Sequence, residues 1–243
     1  MPGQLIIRRR ALRGLIAISA AVLLFSPVSP DRPGLAPAVA KDRATCNAKD
    51  GEVRIPAGVV LLGEDGPAGA GERVEVAAFS IDRHEVTNRQ FAAFVQATGY
   101  RTEAEVQGEG AVFEKPERVM GMDDASQWWR LVRGASWRTP QGPGSSIAGR
   151  MDDPVVQVTY ADGLAYAKWT GRDLPNEAQW ERAARGHQTG GRRQGSWAYA
   201  DDGKPVANTW QGVFPVVNAG DDGYDGLAPV GCFAANDFGV SGM

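Results

Sequence analysis

Two cysteines and two histidines in 243 residues leave few ligands for soft-metal chemistry. Cys46 and Cys232 allow at most one disulfide, and thiols so far apart are not a spaced metal motif; they read as a structural or adventitious pair. His84 and His187 are also distant from each other, and neither adjoins a serine or cysteine motif, so a histidine-rich iron centre and a nucleophilic triad both lack their parts. Each reads as a surface or packing residue. A basic excess is missing too: a net charge of -3 and a pI near 5.5 give nucleic acid little electrostatic support as a partner. No P-loop, dinucleotide glycine fingerprint, heptad or internal repeat is present.

The chain also lacks a long hydrophobic run. The stretch from Gly14 to Phe25 falls short of the roughly 20 residues that a membrane span needs. It follows Arg8, Arg9, Arg10 and Arg13 and precedes the small-residue site Ala38-Val39-Ala40, the order of a secretory leader. Residues 1–40 are therefore expected to be an export leader and 41–243 a single domain, periplasmic or secreted, with no stable membrane insertion once the leader is cleaved. Arg43 argues against lipid attachment at Cys46. What the chain has in abundance is glycine (31), proline (15) and tryptophan (7), the composition of a loop-rich domain in which bulky aromatics supply much of the buried area.

Regular elements are few. The β-branched runs Arg54 to Leu62 and Val74 to Ile81 flank a Gly/Asp/Pro-rich turn and predict paired strands. Thr87 with Gln90, Thr159 with Asp162, and Asn176 with Gln179 each place a capping side chain three residues before a carboxyl or amide; they predict three helices ending near Gly99, Gly171 and Gly186. From 102 to 154 and from 186 to 242 periodicity is weak, yet Trp128, Trp129, Trp137, Trp197 and Trp210 fall there. Long loops pinned by tryptophans are uncommon unless they serve a function, so a site is expected in them.

Asn208, Asp221, Asp222 and Asp225 cluster oxygen donors between glycines. Such a cluster suits a hard cation such as calcium, or equally an Asx-rich turn with no ion, and spacing alone leaves both open. Read as an EF-hand from Asp221, it would put Cys232 where the bidentate glutamate belongs, so that motif is excluded. Glu85, at a strand end, and Glu109, in a glycine-flanked loop, read first as solvated surface. Trp128 and Trp129 read as core, and Trp137 as the stronger site candidate.

YADGLAYAKWTGRDLPNEAQWERAARG (Tyr160 to Gly186), with TGYRTEAE (Thr98 to Glu105), WWRLVRGASWRTPQGP (Trp128 to Pro143) and NTWQGVFPVVNAGDDGYDGLAPV (Asn208 to Val230), resembles the formylglycine-generating enzyme, or sulfatase-modifying factor, family. The resemblance implies an α+β domain of low regular content on a C-type-lectin-like scaffold. It implies oxidation, by dioxygen, of the cysteine of a Cys-x-Pro-x-Arg motif in an unfolded sulfatase chain, at copper(I) held by two cysteine thiolates. By the same likeness Glu85 and Glu109 match acidic residues that grip the arginine, and Ala104 and Trp137 match the lining of a proline pocket. Carboxylates suit a guanidinium and an indole face suits proline. Glu109 stands where better-known members carry aspartate. Calcium would be held by the Asn208 side chain, the Thr209 carbonyl, Asp222 and the Tyr224 carbonyl. Ala167 and Ala184 occupy positions of disulfide cysteines in animal members. The family's copper cysteines follow a Trp-Glu-Trp segment, which the sequence, ending NDFGVSGM, does not reach. The expectation is a C-terminally truncated member with no catalytic residue of its own here; the alternatives are a non-catalytic peptide- or calcium-binding module on the same scaffold and an exported partner protein using its tryptophan loops for contact.

Overall fold

A computed structural model describes residues 46, 49–63, 71–187, 198–200 and 202–242. The expected leader and Trp197 lie outside the described residues. Along the chain come β1 (Glu52–Ile55), β2 (Gly58–Leu62), β3 (Glu72–Val76), β4 (Phe79–Asp82), α1 (Asn88–Thr98), α2 (Glu103–Gln107), β5 (Glu109–Phe113), a 3-10 turn (Ala125–Gln127), β6 (Trp129–Arg133), α3 (Tyr160–Trp169) and α4 (Glu177–Arg185). The strands form three two-stranded antiparallel sheets, β1 with β4, β2 with β3 and β5 with β6. This is an α+β domain of low regular content.

The two runs expected to pair do so, but each breaks in two. Pro56 has no N–H to give a ladder, so β1 stops at Ile55 and β2 begins at Gly58. The partner run breaks opposite, at Ala77 and Ala78, and the register passes from Gly58↔Val76 to Ile55↔Phe79. Helix α4 packs against β2 so closely that a Cβ on Gly58 would fall 2.7 Å from Nη2 of Arg182. Beneath β1 and β4 lies a small core of Val53, Ile55, Ala183 and Val240, with Phe79, Ile81 and Phe238 against it.

All three expected capping boxes form. A fourth, Thr102 with Glu105, starts α2, whose five residues are too few to show a helical period in sequence. The β5–β6 hairpin falls in the stretch expected to be loop. Its second strand is exposed at every position but one and so carries no apolar alternation.

Asp162 does more than cap α3. Wholly buried, it accepts from the backbone N–H (2.8 Å) and hydroxyl (3.0 Å) of Thr159 through Oδ2. Through Oδ1 it accepts from the Tyr100 phenol (2.9 Å) and the backbone N–H of Glu103 (3.1 Å). One carboxylate thus fixes the first turns of α2 and α3 to each other. Burial, and then the bond to Asp162, push the Tyr100 phenol up to about 12. Beside it is the main core, Phe91, Phe94, Val95 and Trp137, packed by Val86, Tyr100, Val155, Val158 and Tyr166. Phe91 meets Phe94 edge-on at 5.4 Å and Trp137 at 5.3 Å, the arrangement that ring quadrupoles favour.

Cys46 and Cys232 are joined in a disulfide, with Cα atoms 4.6 Å apart across a sequence separation of 186. Among the described residues no helix is long and apolar enough to cross a membrane. Asp162→Ala strands four donors and is expected to cost roughly 3 kcal/mol or more. Thr159→Ala, which removes one cap, should cost about 1 kcal/mol. Urea denaturation of both variants checks the difference, and equal losses would refute the keystone role of Asp162.

Candidate functional site

Ala104, Glu109 and Trp137 fall within one unit. Ala104 is buried in α2 and its carbonyl accepts from Gly108 N–H at 2.9 Å. Only Gly108, with φ 77°, separates α2 from β5, so Glu109 opens the strand directly after the helix. Glu109 is half-buried and pairs in register with Arg133 of β6. Beyond β6 the chain turns tightly through Ser136 and Thr139, each of which donates its N–H to the other's carbonyl, and this turn delivers Trp137.

Trp137 is wholly buried and belongs to the main core. Among the described residues its Nε1 donor has no hydrogen-bond partner, an uncommon state for a buried polar atom. The Arg138 guanidinium lies 4.1 Å from the Trp137 ring centre and 3.5 Å from a Glu105 carboxylate oxygen. Trp128 is core, as expected. Trp129 is not: it is 36 % exposed on the open face of β6, touching Phe113 at a ring distance of 5.6 Å.

Glu85 belongs to a second neighbourhood, between β4 and the cap of α1. Its segment is pinned by bonds from Val155 N–H to Val86 O (2.9 Å), Asn88 N–H to Asp153 O (3.0 Å) and Ser241 N–H to Arg83 O (2.8 Å). Gly242 lies against the carboxylate, where a Cβ would fall 2.6 Å from both oxygens. Glu85 keeps solvent-exposed surface, yet loss of hydration dominates and raises its pKa above 4.5; its own backbone N–H and nearby His84 act the other way. Val86 packs on the cluster that holds Trp137, so the aromatic core bridges the two neighbourhoods. His84 is buried, with Nδ1 2.8 Å from the Glu85 carbonyl, and His187 is exposed beside Phe238.

The four expected calcium positions come together. Asp222 is buried, its Oδ1 accepts from Tyr224 N–H (2.9 Å) and its Oδ2 from the Asn208 amide (2.8 Å). Asn208 Oδ1 accepts from Ala228 N–H at 3.3 Å, and the Thr209 carbonyl accepts from the Gln211 amide. An oxygen-only set with one carboxylate fits a hard cation, and the Asn208–Asp222 bond is the contact that a cation would replace. Among the described residues no group of three or more His, Cys, Asp or Glu side chains could hold a metal. A second aromatic cluster, Phe113, Trp128, Trp210 and Phe214, joins this loop to the β5–β6 hairpin. Cys46 and Cys232, being joined to each other, offer no thiolates to the copper(I) that the family resemblance implies.

Sequence reasoning missed Gln157. Its φ of 59° is left-handed, the one such non-glycine residue among those described, and costs about 1 kcal/mol or more. Its amide donates to Ala111 O and Pro140 O, both at 2.8 Å. No signal could have found it, since glutamine is not enriched in that conformation. Asp222→Ala should cost about 1–3 kcal/mol by leaving Asn208 and Tyr224 N–H without their acceptor. Chemical denaturation measures this directly, and an unchanged midpoint would remove Asp222 from any structural role.

Residues 37–243 match the family described as sulfatase-modifying factor enzyme 1-like domain. The chain is 44 % identical over 203 residues to a protein of Thermomonospora curvata named formylglycine-generating enzyme, and 42 % identical over 202 residues to one of Bos taurus with the same name. It is 39 % identical over 203 residues to a Mus musculus protein named inactive C-alpha-formylglycine-generating enzyme 2. These matches cover 78 %, 77 % and 77 % of this chain, and 67 %, 54 % and 65 % of the relatives.

Proposed function

The chain belongs to the sulfatase-modifying factor enzyme 1-like family, and from that membership we propose that it receives an unfolded, exported sulfatase segment bearing Cys-x-Pro-x-Arg. That segment is the substrate of the family's conversion of the cysteine to formylglycine with dioxygen, a step for which the paired Cys46 and Cys232 supply no copper-binding thiolates. The observation that supports this reading is the α2–β5–β6 unit, in which Glu109 follows directly on the helix that buries Ala104, and Arg138 links the Trp137 ring to Glu105 of the same helix. Glu85 and Glu109 would receive the guanidinium through charge-assisted bonds. Ala104 and Trp137 would bound the space for proline. Arg138 lies over that indole, half-exposed, and would lift away as the proline arrives. Calcium at Asn208, Thr209, Asp222 and Tyr224 would stiffen the loop that the second aromatic cluster fastens to the hairpin. The disulfide supports an oxidising compartment, in keeping with the expected leader.

A second reading, a non-catalytic peptide-binding module on the same scaffold, draws on the paired cysteines and on the similarity to a relative named inactive. Mass spectrometry of a Cys-x-Pro-x-Arg peptide incubated with the protein in air separates the two: formylglycine supports the first, and binding without mass change supports the second.

Calorimetric titration with that peptide should give a dissociation constant that Glu85→Gln and Glu109→Gln each weaken by about 1.5–3 kcal/mol. An arginine-to-citrulline peptide should lose as much, and unchanged affinity in all three tests would overturn the recognition reading. The pH dependence has a definite sign. Glu85 binds a guanidinium only when ionised and its pKa is raised, so affinity falls on acidification, beginning above the ordinary value of 4.5. Glu85→Gln should abolish that limb of the profile. Millimolar calcium should raise the thermal midpoint of the wild type and not of Asp222→Ala; identical responses would exclude the ion from this loop.

A further inference from the structure

Gln157 lies in neither of the expected clusters, yet it touches the framework of one of them. Its Nε2 donates to the Ala111 carbonyl of β5, two residues beyond Glu109, and to the Pro140 carbonyl, three beyond Trp137. Gly110 lies beneath the amide: a Cβ there would collide with the Gln157 side-chain oxygen and come within 3.2 Å of the Ala135 carbonyl. The backbone at Gln157 is held left-handed although asparagine or glycine would sit there with less strain. It cannot relax, because Val155 and Val158 on either side pack into the aromatic core and Thr159 caps α3.

We propose that Gln157 is a positioning residue of the peptide groove, bracing the Trp137 turn against strand β5 so that the indole and Glu109 keep a fixed separation. This rests on the groove reading given above and deepens it. Among the described residues the two carbonyls come from segments that share no ladder with each other, since β5 pairs with β6 and Pro140 lies past the turn. One planar amide with two N–H groups is the simplest group that can satisfy both at once. The strain is retained because a side chain leaving from a left-handed backbone reaches across to β5.

Two variants of the full chain test this. Gln157→Glu keeps the shape and replaces both donors with a carboxylate facing two carbonyls. Gln157→Gly removes the brace but also the strain, so its thermal midpoint should fall less than that of Gln157→Glu. Hydrogen exchange read by mass spectrometry should show faster exchange in both variants, confined to residues 134–145 and β5. Affinity for the Cys-x-Pro-x-Arg peptide should fall on the order of tenfold to a hundredfold in each. Lost affinity in both variants despite their different midpoints, with exchange changed only locally, is a split that a merely structural residue would not produce. Unchanged exchange at 134–145 in both variants would overturn the brace. So would exchange that rises throughout the chain alongside a lower midpoint. If the wild type binds no peptide while exchange still changes locally, the brace stands as a device of the fold and the groove reading is what fails.

Discussion

A single buried carboxylate ties two helix starts of this domain to each other. Asp162 takes four hydrogen bonds, from Thr159, Tyr100 and the start of α2, so two helices and a tyrosine ring share one anchor. A buried charge is tolerable only when its hydration is fully replaced. Here the replacement is made of groups that the fold must position anyway: a helix cap, a helix N-terminus and an aromatic hydroxyl. The helix start that caps α3 thereby also sets where α2 begins, and α2 in turn sets where Glu109 emerges.

The aromatic core does the complementary work. Phe91 and Phe94 from α1, Tyr166 from α3 and Trp137 from the turn after β6 meet at ring distances of 5.3 to 6.0 Å. Three sheets of two strands each could not bury enough apolar area by themselves, since isolated hairpins are marginal in water. The rings supply it, and they do so between elements that are distant in sequence. This is why a domain with so many loops can still fasten segments distant in sequence to one another.

Much of this was legible in the sequence where the physics is local. Thr87, Thr159 and Asn176 announce their helices because a cap and its partner lie three residues apart and need no tertiary context. The β5–β6 hairpin was not legible: β6 is too exposed to alternate, and its stability comes from Phe113, Trp129 and the loop of Trp210, contacts that span up to about a hundred residues. The pairing of the cysteines stayed open for the same reason, being a fact of proximity in space. At the candidate site, family likeness rather than residue type singled out Glu109 and Asp222, whereas the left-handed Gln157 and the arginine lying over Trp137 are products of packing alone.

The link from Cys46 to Cys232 encloses every helix and strand from β1 to α4. A pull from the C-terminal side, by a translocation motor or an unfoldase, would first strip Asn236, Val240 and Ser241 from α4, the small core and Arg83. It would then run through the sulfur bridge and leave the enclosed ladders and rings slack, so threading beyond that point waits on a thiol to open the shortcut.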